Sequence, residues 1–123
     1  VENYNQAGRR LHTDADVLTS QGRYATASHL YGLAAECTIK AFMQSQPGCA
    51  KIPFKHLPEL VDDAKRLLSG RTRAHLLQVI AAPDYMAAWR VENRYWDDAC
   101  FKPEQCTKYR ADSYKVLACL HPV

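Results

Sequence analysis

The stretch Arg23 to Met43, RYATASHLYGLAAECTIKAFM, holds no proline and repeats its apolar residues at helical spacing, so it predicts one long helix. Ala27, Leu30, Leu33, Ala34, Cys37, Ala41 and Phe42 cover an arc of roughly 200° on that helix, wider than the ~100° stripe of a surface helix. The helix is therefore expected at the centre of the protein. On a period of about 3.6, steps from His29 to Glu36 and from His29 to Lys40 return to within about 20° of the starting direction. Three ionisable groups thus share a stripe along the apolar arc. The small residues Gly32, Ala34 and Ala35 would let neighbouring helices approach closely.

Working outward, Tyr4, Ala7, Leu11, Ala15 and Leu18 recur every three or four residues and predict a first amphipathic helix, ended by Thr19-Ser20-Gln21-Gly22. Two helices joined this briefly are expected to run antiparallel. Gln46-Pro47-Gly48 closes the central helix. Lys55-His56-Leu57-Pro58-Glu59 opens a third, with Leu60, Val61, Ala64, Leu67 and Leu68 facing inward and Ser69-Gly70 as its stop. Arg71 to Ala82, carrying Leu76, Leu77 and Ile80, predicts a shorter piece stopped by Pro83. Residues Asp84 to Trp96 are aromatic-rich and only partly helical in pattern. Pro103-Glu104 opens the last helix, with Tyr109, Ser113, Val116, Leu117 and Leu120 on one side. No segment alternates with period two. The expected fold is all-α, an up-and-down bundle of four to five helices in one domain spanning residues 1–123.

Composition narrows the class. Of 123 residues 47% are apolar and 24% charged, the range of a chain that buries its own core. No apolar run approaches the ~20 residues that cross a bilayer, and VENYNQAGRR lacks the apolar centre of a signal peptide. A cytoplasmic protein without membrane contact is expected. The net charge of +3 permits phosphate contact without marking a dedicated nucleic-acid binder. Cys37, Cys49, Cys100, Cys106 and Cys119 contain no C-x-x-C pair, which argues against a disulfide framework. Cys37 reads as core filler. Cys100 and Cys106, taken with His56 or His121, match no zinc spacing, so neither metal nor cofactor is expected.

HLYGLAAECTIKA on the second helix, KHLPEL opening the third, WRVENRY before the last and a closing amphipathic helix together resemble the HEPN family of small helical-bundle proteins. The resemblance covers most of the chain. It implies a bundle that dimerises, sits beside nucleotidyltransferase-like partners or in defence and toxin-antitoxin settings, and binds nucleotides or RNA. Catalytic HEPN proteins are metal-independent ribonucleases with an arginine and a histidine four to six residues apart near the start of a late helix. This chain departs from that pattern: Arg90 and Arg94 have no histidine at that spacing, and after Arg110 the next histidine is His121. Arg23 and His29 meet the bare spacing but lie about 120° apart on the second helix.

The expected polar cleft gathers His29, Glu36, Lys40, Lys55, His56, Arg90, Arg94 and Tyr95. Glu36 and Lys40 form an i, i+4 pair, and Glu36 at the core edge needs a further partner, for which Arg94 is the expectation. Lys55 and His56 precede a helix start and suit an anion. Tyr85, Trp89, Arg90, Arg94, Tyr95 and Trp96 mix cations with aromatics, which suits base stacking on single strands as well as core or dimer packing. The resulting expectation is a non-catalytic HEPN-like accessory module, a homodimer contacting nucleotide, RNA or a partner protein. The alternatives are a ribonuclease pairing Arg94 with His29 or His56, and a purely structural dimerisation module.

Overall fold

Asn3 opens the first helix, its side chain accepting the Gln6 N–H at 3.0 Å and satisfying one of the free amides of the first turn. In the computed structural model, residues 1–47, 51–68 and 71–120 are described, without the side chains of Arg71 and Thr72. Gly48, Cys49, Ser69, Gly70 and His121 of the sequence reading lie outside the described residues. The helices are α1 (Tyr4–Ser20), α2 (Tyr24–Ser45), α3 (Glu59–Leu67), α4 (Arg71–Ile80) and α5 (Pro103–Cys119). Between α4 and α5 the chain makes only two 3₁₀ turns, Val91–Tyr95 and Asp98–Cys100. Among the described residues there is no strand, so the all-α expectation holds. No described helix is long and apolar enough to cross a membrane.

Gly22 adopts φ +74, a left-handed conformation that costs glycine least, and the Arg23 N–H reaches back to the Leu18 carbonyl at 3.0 Å. The chain reverses there. Near the turn Tyr31 meets Asp16, and far from it Thr38 meets Gly8, the antiparallel pairing of α1 with α2. A Cβ on Gly8 would lie 2.7 Å from the Thr38 hydroxyl. This close contact turns α1 so that Gly8, His12 and Ala15 are its buried residues, whereas Tyr4, Ala7, Leu11 and Leu18 are only partly covered. The expected inward face is therefore rotated.

The long helix α2 is central, packed by α1, α5, the Val91–Tyr95 turn and α3. Tyr31, Ile39 and Met43 are fully buried on it, while Leu30, Leu33, Cys37 and Ala41 of the expected arc are half-buried. Elements on several sides cover α2, so residues off the most apolar direction are enclosed as well. Cys37 is accordingly not core filler in the full sense. On α3, Leu60, Ala64 and Leu68 point inward as expected but Leu67 is exposed. Leu76 and Ile80 of α4, and Cys106, Tyr109, Ser113 and Val116 of α5, complete the interior.

Residues 81–101 form a strap across α2, and its path depends on Trp89. The indole is 1% exposed and occupies a notch that only a glycine leaves: a Cβ on Gly32 would lie 1.9 Å from it. Trp89 Nε1 donates to the Ser28 carbonyl at 3.2 Å. From α5, Asp112 accepts the Met86 N–H at 2.8 Å and Tyr109 donates to the Ala87 carbonyl at 2.8 Å, and within the strap Asn93 donates to the Ala88 carbonyl at 3.1 Å. These bonds hold Met86 and Ala88 at φ 49 and 67, left-handed values that side chains other than glycine adopt at a cost of roughly 1–2 kcal/mol each.

Candidate functional site

The loop before α3 and the strap after Trp89 meet over the middle of α2, and Glu36, Lys55, His56 and Arg90 of the expected cleft come together there. Glu36 is 3% exposed, and its carboxylate accepts the Leu57 N–H at 2.9 Å and His56 Nδ1 at 2.9 and 3.1 Å. Burial pushes its pKa up, and the hydrogen bonds from His56 and Leu57 pull against that rise. The expected Glu36–Arg94 bridge is absent: the loop brings His56 and a backbone amide directly onto the carboxylate, nearer than any arginine of the strap. With Nδ1 donating to Glu36, the ring leaves Nε2 to the solvent side. His56 then lines a cavity of about 500 Å³ with Lys55, Leu57, Glu59, Arg90 and Glu92.

Lys55 also pairs with the buried Asp63 at 3.0 Å, and Arg66 joins that carboxylate from the next turn of α3. Arg90 is exposed and donates to the Trp89 carbonyl at 3.0 Å. Arg94 lies one 3₁₀ turn further on, donates to the Val91 carbonyl at 3.0 Å and stacks over the Tyr95 ring at 4.6 Å. Tyr95 is 78% and Trp96 50% exposed. The aromatic-cationic cluster of the sequence is thus divided. Trp89 and partly buried Tyr85 belong to the core, whereas Arg90, Arg94, Tyr95 and Trp96 face out.

His29 stacks its ring on Trp89 at 5.5 Å between centroids. Its pKa is lowered by burial first, then by the positive charges of Arg94 and His56. Lys40 does not join the groove. Its ammonium lies 5.9 Å from the Tyr4 ring on α1, so the stripe His29, Glu36, Lys40 points at three different neighbours.

A second polar cluster escaped the sequence reading. His12 Nδ1 lies 2.8 Å from the Ser113 hydroxyl, and Nε2 lies 3.7 Å from Asp16. Asp16 also accepts Tyr31 at 2.6 Å and Arg110 at 2.7 Å. Burial lowers the His12 pKa and raises that of Tyr31 to about 12. The i, i+4 spacing of His12 and Asp16 was the signal available in the sequence. Ser113 is fully buried, and the cluster ties α1, α2 and α5 together. Among the described residues no group of three His, Cys, Asp or Glu side chains is arranged to hold a metal ion. No protein-family model matches the chain, and neither a curated protein nor a solved structure matches it significantly.

Proposed function

We propose that the chain is a HEPN-like accessory module that contacts single-stranded RNA through the groove between the loop before α3 and the strap, without cleaving it. One observation carries this reading: exposed Arg90 lines the groove with Lys55 and His56, and exposed Arg94, Tyr95 and Trp96 follow it along the strap, a set of cations and open ring faces that stacks bases and neutralises phosphates. Glu59 and Glu92 share the cavity, so stacking contributes alongside charge. A fluorescently labelled single-stranded RNA should bind at low salt and dissociate as salt rises. No binding at low salt refutes the proposal and leaves a structural dimerisation module. Dimerisation and a nucleotidyltransferase-like partner, implied by the same resemblance, are read by sedimentation of the chain alone and with such a partner.

A second reading, metal-independent ribonuclease, is favoured by the Glu36–His56 pair. A buried carboxylate that fixes Nδ1 and presents Nε2 beside Lys55 and Arg90 is the arrangement of a general base near a phosphate. RNA incubated with the protein and a chelator separates the two. Cleavage that disappears in His56→Ala establishes the enzyme; intact RNA that still binds supports the accessory module.

A further inference from the structure

Beside the groove, where the first turn of α2 faces the Asp98–Cys100 turn, two adjoining cavities of about 290 and 130 Å³ share Ala25, Thr26, Asp98 and Phe101 as walls. Arg23 lines the larger one, and His29, Arg94 and Trp96 line the smaller. Three charged groups therefore face one opening, two guanidinium groups and a carboxylate. Among the described residues none of the three forms an ion pair, although their charges are opposite. Arg94 spends its hydrogen bond on a backbone carbonyl. Cations and an anion that line a common space but stand too far apart to neutralise each other suit a ligand with an anionic part and a donor-bearing edge. The aromatic walls, Trp96 and Phe101, add a flat apolar surface for a ring between those ends.

We infer that this opening reads a guanosine unit of the bound strand, an inference that rests on the RNA-contact reading above. Guanine is the base whose pairing edge offers two adjacent N–H donors, from N1 and N2, and a carboxylate accepts both at once. Adenine and cytosine set a single amino donor beside an acceptor, and uracil flanks its one imide donor with two carbonyls that repel a carboxylate. Asp98 takes the guanine edge, Trp96 and Phe101 take its faces, and Arg23 and Arg94 take the flanking phosphates. His29 supports the wall: it stacks on Trp89, and its buried Nδ1 has no partner among the described residues.

The test is anisotropy with two short oligonucleotides, an oligouridylate and the same strand with one guanosine. The guanosine strand should bind about tenfold more tightly, and inosine in its place, keeping N1–H but lacking the N2 amino group, should fall between. Asp98→Asn should collapse the difference between the strands, and Glu104→Gln on the exposed side of α5 should preserve it. Equal binding of both strands, or a preference that survives Asp98→Asn, overturns the guanosine site while leaving RNA contact intact. If neither strand binds, the RNA-contact reading falls and this inference falls with it.

Discussion

Gly32→Ala should destabilise the protein, although the same change in an exposed helix stabilises it. The added Cβ would lie 1.9 Å from Trp89 Cε2 and 2.1 Å from its Nε1, distances at which the stiff indole must leave the notch. Trp89 is 1% exposed and among the largest buried side chains, so its displacement loses most of the ~3–5 kcal/mol that truncating a buried Phe or Trp costs. Helix propensity returns about 1 kcal/mol. The net loss is about 2–4 kcal/mol, a fall in Tm of roughly 8–16 °C for a domain of this size. The assay is thermal unfolding followed by circular dichroism, repeated in a Trp89→Ala background. There the notch is empty, and Gly32→Ala should stabilise by about 1 kcal/mol. The sign of the substitution thus reverses with its neighbour. A Tm that rises or stays constant for Gly32→Ala with Trp89 intact, or an equal effect in both backgrounds, refutes the notch as the anchor of the strap.

Acid should weaken the fold in a defined window. Burial lowers the folded pKa of His12 and of His29 below 6.5, so above that pH both rings are neutral in either state and contribute no pH dependence. As pH falls below 6.5 the unfolded chain takes up protons first, and stability declines until the folded pKa is reached. Glu36, whose pKa is raised from 4.5, acts with the opposite sign above that value, so the measurement is a difference: urea midpoints of His12→Gln should fall less steeply than the parent's below pH 6.5. Ala88→Gly should raise the unfolding midpoint by the equivalent of about 1 kcal/mol, because φ 67 strains alanine and not glycine. Arg94→Ala, at an exposed position, should change stability by less than about 0.5 kcal/mol yet reduce the log–log salt slope of RNA binding by about 0.7. The same substitution removes a positive charge beside His29, so the His29 pKa read by NMR should rise.

The sequence by itself determined the helices. Residues 84–96 carried no clear period and took the form of a strap with 3₁₀ turns, as a segment without an amphipathic pattern can be held only by contacts made elsewhere. The breaks at Gly22 and Pro83 and the start at Pro103 act within a turn or two of chain, which is why their positions were legible. Part of the groove's lining was legible too: Lys55, His56 and Arg90 come together where loop and strap meet, whereas Arg94 lines a neighbouring cavity with His29 and Trp96. What only tertiary structure decided was which way each group faces. Glu36 binds His56 instead of Arg94 because a loop twenty residues away in sequence delivers a ring and an amide to it. Lys40 turns to Tyr4, and His12 lies inside, because Gly8 seated on Thr38 sets the rotation of α1 against α2. Trp89 is buried while Trp96 is not, since one faces the Gly32 notch and the other is carried beyond it. Periodicity is local and fixes where a helix runs. Rotation about its axis is set by close contacts between residues far apart in the chain, and those contacts decide which charges meet.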